Sequence, residues 1–300
     1  MIDANLQSEF DALTGHNGTR VAPSRRVALK AALGVGYAAA AAPVLAQNAI
    51  KTPADGLVAG EVMIDVGAGV QMPAYRAAPA GKTNLPVVLV IHEIFGVHEY
   101  IADTVRRFAR AGYLAIAPEL FTRQGDPGSY GEMAKLLAEV VSKVPDAQVM
   151  SDLDVIARWA AANGGNAAKL AITGFCWGGR ITWLYAAHSP AIKAGVAWYG
   201  RVVGAASEMT PRHPVDVAQQ LQGPVLGLYG GKDTGIPLDT VERMKTALAG
   251  GSAAARASQF VIYPEAPHAF HADYRPSYVK AAADDGWQQA LAWFKRHGVA

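Results

Sequence analysis

The chain has 300 residues, 51% of them apolar and only 17% charged, against a usual charged share of about 25%. That apolar content excludes global disorder, and the length suits one large domain or two small ones. Lys+Arg 27 against Asp+Glu 25 leaves a net charge of +2, too weak for a nucleic-acid-binding surface. The single cysteine, Cys176, excludes an internal disulfide and a multi-cysteine zinc site. It is either a small buried hydrophobe or a nucleophile.

Residues 1–46 read as an address rather than as fold. Ser24-Arg25-Arg26-Val27-Ala28-Leu29-Lys30 precedes an Ala-rich apolar stretch that ends Pro43-Val44-Leu45-Ala46. Basic region, apolar region and small-residue cleavage site, in that order, mark a bacterial export signal. The Arg25-Arg26 pair resembles the twin-arginine type, with Ala28 where that signal usually has Phe. The expected cut follows Ala46 and makes the protein periplasmic. The apolar run is shorter than the ~20 residues of a spanning helix, although an uncleaved anchor or a cytoplasmic tail are the alternatives. Once the signal is removed, no stable membrane association is expected, and the export machinery is a transient partner.

Residues 47–60 read as a linker. Residues 61–76 alternate apolar and polar around Gly67-Ala68-Gly69, the pattern of a β-hairpin. Apolar runs at 87–92, 113–117, 169–173, 194–199, 224–229 and 259–263 predict strands buried on both faces. Amphipathic patterns predict helices over 101–111, 131–143, 148–163, 178–188, 238–249 and 278–297. This alternation predicts one α/β domain over 61–300, a doubly wound, mostly parallel sheet flanked by helices, with an N-terminal β-hairpin. The loop 123–131 and the segment 201–222 are the longest irregular pieces, and long loops at strand ends build substrate pockets.

The strongest local signal is Thr173-Gly174-Phe175-Cys176-Trp177-Gly178-Gly179. A strand runs into Gly-x-Cys-x-Gly-Gly and then into a helix. Such a sharp turn holds its central residue in strained geometry and needs small neighbours so that strand and helix can pass closely. It also sets the thiol at a helix N-terminus, which favours an anion. A nucleophilic cysteine needs a base, and the base needs an orienting group. Asp233, in Gly231-Lys232-Asp233, follows the strand 224–229. His268 follows the strand 259–263. Both suit the chain order nucleophile, acid, His. Taken singly, each could be an ordinary turn or loop residue. Asp216 and Asp239 are less well placed rivals, and His271 is the nearest competitor for the base. His92-Glu93-Ile94-Phe95-Gly96 ends the strand 87–92. In an α/β-hydrolase fold that loop supplies one oxyanion-hole amide, here Ile94 N–H, and the residue after the nucleophile, Trp177, supplies the other.

These motifs, with Ala117-Pro118-Glu119-Leu120-Phe121 and His268-Ala269-Phe270, resemble the dienelactone hydrolase (carboxymethylenebutenolidase) family from about residue 61 to the C-terminus. Their joint order is highly specific. The resemblance implies a Cys176–His268–Asp233 triad that hydrolyses small ester or lactone substrates, with no metal or organic cofactor. It also implies that Glu93 contacts and restrains the resting thiol, and that Arg123 helps to hold an anionic substrate. Phe95 and Tyr199 are expected pocket residues. Two positions depart from the family pattern: Ala269 and Ala272 stand where a Ser and a second Arg are usual. Arg275 or His271, on the same loop, are the available substitutes. The alternatives are a general carboxylesterase that does not act on dienelactone, a non-catalytic ligand-binding scaffold, and a thiol redox or peroxide-sensing protein.

Overall fold

In the computed structural model, which describes residues 49–300, the apolar runs become eight strands. They are β1 (Leu57–Asp65), β2 (Gln71–Pro79), β3 (Leu85–Ile91), β4 (Leu114–Pro118), β5 (Gly165–Phe175), β6 (Ile192–Trp198), β7 (Val225–Gly230) and β8 (Gln259–Tyr263). Eight helices accompany them among the described residues: α1 (Glu99–Arg110), α2 (Met133–Glu139), α3 (Asp146–Ala162), α4 (Trp177–His188), α5 (Pro214–Val217), α6 (Leu238–Ala249), α7 (Ala253–Ala257) and α8 (Lys280–Arg296). The export signal expected over 1–46 lies outside the described residues.

The strands form one sheet in the order β1-β2-β4-β3-β5-β6-β7-β8. β2 pairs antiparallel with β1 and with β4; all the other pairs are parallel. β4 is buried throughout, and β3 at every position but Pro86, because helices cover both faces. α1 and α8 meet through Phe108, which packs on Trp287 and Phe294. α3 and α4 meet each other over β5, and the sheet lies between these two layers.

From β3 the chain steps to β4 on one side, while β5 lies on the other. Ligands of open α/β sheets bind outside the strand carboxyl ends at such a switch. Ile91 is in register with Gly174, and Phe175 with Trp198. The residues following β3, β5 and β6 therefore emerge side by side.

Some boundaries differ from the sequence expectations. β1 begins at Leu57, so the end of the expected linker is strand. The segment before it is tied to α1: Thr52 N–H donates to Asp103 at 2.5 Å, and Arg106 donates to Thr52 O at 2.9 Å. The expected helix 131–143 divides into α2 and a 3₁₀ turn at Val141–Lys143. The irregular segment 201–222 contains α5, started by Pro214 and a reciprocal His213–Asp216 capping box. Like the five-residue α7, capped by Ser252, it is too short to leave an amphipathic period.

Candidate active site

Cys176 sits between β5 and α4 with φ 54° and ψ −111°, a conformation that costs a non-glycine residue about 1–3 kcal/mol. The surroundings enforce it. Cys176 N–H donates to Trp198 O at 3.0 Å. A Cβ on Gly174 would fall 2.2 Å from Gly178 O, and one on Gly178 would fall 2.4 Å from Ile91 O. The glycines of the motif are thus demanded by close backbone approach, and the turn lifts the sulfur to the N-terminus of α4, the positive end of the helix.

His268 lies within hydrogen-bonding reach of this sulfur. Its Nδ1 is 2.6 Å from Asp233 Oδ2. A carboxylate can only accept, so Nδ1 carries the proton and Nε2 is left for the thiol. The other Asp233 oxygen accepts from Gly235 N–H at 2.9 Å and Ile236 N–H at 3.2 Å, which fixes the direction of the carboxylate. Burial pulls the His268 pKa down, but Cys176 and Asp233 outweigh it, and the ring is pushed up to about 10.

Glu93 is 1% exposed. Its Oε2 accepts from His98 Nε2 at 2.9 Å and from Tyr274 OH at 3.0 Å; no hydrogen bond reaches Oε1 among the described residues. Burial pushes this carboxyl up, yet His98, Arg275 and Tyr274 prevail and hold it below the usual range. Glu93 is a buried anion whose hydrogen bonds go to His98 and Tyr274. Neither partner was legible in sequence; an aromatic–polar run such as His98–Tyr100 reads as an ordinary helix start.

The amides of Ile94 and Trp177 donate to no backbone carbonyl among the described residues, so both remain available. Tyr199, with φ 38°, stands edge-on to His268, ring centroids 5.1 Å apart. Phe95 lies under Arg275, whose guanidinium is 5.2 Å from the ring centroid. Arg275 Nε also donates to Tyr274 OH at 3.1 Å. Arg123, two residues after Phe121, grips Asp152 of α3 with both terminal nitrogens. His271 is buried between Phe175 and Trp198 and is bonded to Tyr100 OH at 2.6 Å. Burial pulls its pKa down to about 3, so it is an uncharged core ring that cannot replace a missing cation. Nor is it bonded to Asp233, which leaves His268 as the ring facing Cys176.

One more contact fixes the pocket's frame. Arg180 of α4 grips Asp146, at the start of α3, with two 2.7 Å bonds, and donates to Arg212 O at 2.8 Å. Helix α4, which begins after Cys176, is thereby tied to the segment that follows Tyr199.

A parallel sheet with a strained elbow after β5, an acid after β7 and a histidine after β8 defines an α/β hydrolase. The chain belongs to the dienelactone hydrolase family, whose family model matches residues 72–298, and it is a hydrolase of that family. A Methylorubrum extorquens protein named "Putative carboxymethylenebutenolidase" is 56% identical over 292 residues, 97% of this chain and 99% of that one. An Escherichia coli K12 protein of the same name is 54% identical over 264 residues, 88% and 96% of the two chains. The crystal structure of a "Putative Dienelactone Hydrolase" from Klebsiella pneumoniae is similar with a TM-score of 0.77 and 58% identity, covering 81% of this chain and all of the other.

Proposed function

We propose that this chain is an exported cysteine hydrolase of small esters and lactones, working through Cys176, His268 and Asp233. The observation that carries the reading is the 2.6 Å His268–Asp233 bond with Cys176 on the opposite side of the ring. His268 Nε2 takes the thiol proton, and the sulfur adds to the substrate carbonyl carbon. The carbonyl π pair moves to oxygen, where the Ile94 and Trp177 amides stabilise the anion; one such donor is worth about 3 kcal/mol. Collapse breaks the C–O bond. The leaving oxygen takes the proton from His268, and a thioester remains. Water then gives a proton to His268 and adds to the thioester; C–S cleavage releases the acid and returns the proton to sulfur.

Glu93, as a buried anion near the elbow, opposes thiolate formation until substrate arrives. Arg275, beside Phe95 and Glu93, is a cation that pairs with a substrate carboxylate, in place of the arginine usual at Ala272. Export through a twin-arginine signal rests on Ser24 to Ala46 and is tested by finding Gln47 as the first residue of the periplasmic protein.

The test of function is hydrolysis of neutral p-nitrophenyl esters and anionic lactones, dienelactone included, by the protein and by Cys176→Ala. Thiol-dependent turnover is expected; substantial turnover by Cys176→Ala sinks the mechanism. The second reading is a general carboxylesterase. Fully buried Ala269 and Ala272, at positions usually polar in the family, favour it. Turnover of neutral esters alone would establish it.

A further inference from the structure

His92 is buried completely, and both of its ring nitrogens are committed. Nδ1 lies 2.5 Å from Glu93 O, and Nε2 lies 3.1 Å from Leu120 N. A carbonyl can only accept and an amide can only donate, so Nδ1 carries the proton and Nε2 accepts. Burial pulls the ring's pKa down, in keeping with this neutral tautomer.

The peptide that His92 grips is the one joining Glu93 to Ile94. A trans peptide is planar, with its N–H directed opposite to its carbonyl. Holding Glu93 O therefore fixes the direction of Ile94 N–H. The same ring lies flat against Trp177, centroids 5.5 Å apart and planes 14° from parallel. Phe121 closes the cluster edge-on to both rings, at 4.7 Å from His92 and 4.8 Å from Trp177. Leu120 supplies the amide and Phe121 the wedge, which gives the Glu119-Leu120-Phe121 segment a role at this end of the sheet.

We propose that His92 is the positioning residue of the oxyanion hole: it sets the Ile94 amide by gripping the Glu93 carbonyl, and it packs that loop against Trp177, whose amide is the other donor. The inference rests on the hydrolytic reading above. An uncharged donor is required here, because a ring protonated at both nitrogens would confront Leu120 N–H with a second donor. The proposal concerns geometry at the moment when negative charge develops, so it predicts a loss in kcat rather than in ground-state binding.

The test compares the protein with His92→Phe, which keeps an aromatic ring against Trp177 but makes neither hydrogen bond, and with His92→Asn, whose amide can still donate to Glu93 O. Three quantities are measured. They are kcat and KM for p-nitrophenyl acetate, inhibition by a trifluoromethyl ketone that Cys176 converts into a tetrahedral adduct, and the pH profile of Cys176 alkylation by iodoacetamide. Alkylation develops no oxyanion, so it reports whether the elbow and the His268–Asp233 pair are intact.

For His92→Phe, kcat is expected to fall about 10²–10³-fold, with KM nearly unchanged. Affinity for the ketone should weaken by a similar factor, and the alkylation profile should stay as in the unmodified protein. His92→Asn should recover much of kcat. A His92→Phe protein with kcat and ketone affinity near the unmodified values overturns the proposal. So does a uniform loss in which alkylation falls along with turnover in both variants, because that marks a purely structural residue. If the unmodified protein turns over no ester, or if Cys176→Ala turns it over equally well, the hydrolytic reading itself falls, and the positioning role with it.

Discussion

Arg123 spends both terminal nitrogens on Asp152, at 2.5 and 2.9 Å. The Asp152 side chain is 2% exposed, and burial already pushes its pKa up against the pull of Arg123. This pair closes the loop after β4 onto α3. Arg123→Gln leaves a buried carboxyl without its partner, and we expect a loss of about 2 kcal/mol of unfolding free energy, read by denaturant titration. Arg275→Gln should raise KM for anionic lactones by about tenfold or more with neutral esters little affected, on top of the stability lost when buried Glu93 is left without that cation. An Arg123→Gln variant that keeps its stability but loses anionic substrates would return the substrate role to Arg123.

Asp233→Asn removes the acceptor that holds His268 in its working tautomer, and kcat should fall by about 10⁴-fold. The same variant tests the charge on the ring. His268 is pushed from an ordinary 6.5 up to about 10, so the folded protein binds this proton more tightly than the unfolded chain does. That contribution to stability is complete below pH 6.5 and is lost as pH rises through about 10. Thermal unfolding between pH 6 and 10 should show the loss in the unmodified protein and a flatter profile in Asp233→Asn. Superimposable profiles would show that the carboxylate does not hold the proton.

His271 works in the opposite direction. Burial, helped by Arg107, pulls it from 6.5 to about 3, so the unfolded chain takes up a proton that the folded core refuses. The resulting stability is complete above pH 6.5 and declines as pH falls towards 3. His271→Gln should lower stability at pH 7, through lost stacking on Phe175 and Trp198, while making the acid limb shallower. Tm between pH 7 and 4 is the measurement. An unchanged acid slope would assign that limb to other groups.

Gly178→Ala places a Cβ 2.4 Å from Ile91 O and 2.6 Å from His92 O. Neither is a flexible side-chain tip, so β3 and α4 must separate. The expected cost is about 1–3 kcal/mol, with turnover of p-nitrophenyl acetate reduced by more than tenfold because the elbow and the Ile94 loop move apart. A variant with unmodified Tm and kcat would mean that this junction is looser than its contacts imply.

The strands β3 to β7 were legible because parallel strands covered on both faces read as apolar runs, as in Val87-Val88-Leu89-Val90-Ile91; β8, an edge strand and only half-buried, still reads as apolar in Phe260-Val261-Ile262. The placement of Cys176, Asp233 and His268 at the ends of β5, β7 and β8 was legible through local punctuation: glycines around the elbow, and turn residues after strands. What the sequence hid were partnerships across elements. Nothing near Arg123 announces Asp152, which is 29 residues away on another element, and nothing near Glu93 announces His98 and Tyr274 as its holders. His271 misled for a geometric reason. Ala269 adopts φ 58°, and Ala272 N–H closes a turn on its carbonyl at 2.9 Å. Within this turn the chain after His268 dives into the core, so two histidines three residues apart occupy opposite environments.

The Arg180–Asp146–Arg212 tie has a consequence for how this enzyme can change. The wall beyond Tyr199 does not hang from the sheet as an independent loop; its backbone is bolted to α4, the helix after Cys176, and, through Asp146, to the helix before it. Transplanting this wall from a relative, to retune which acyl group is accepted, would import a carbonyl that must meet the same guanidinium. A graft that ignores Arg180 would leave its buried guanidinium on Asp146 but without that acceptor. Diversity in substrate choice should therefore arise by side-chain replacement on a fixed wall more readily than by exchange of the whole segment.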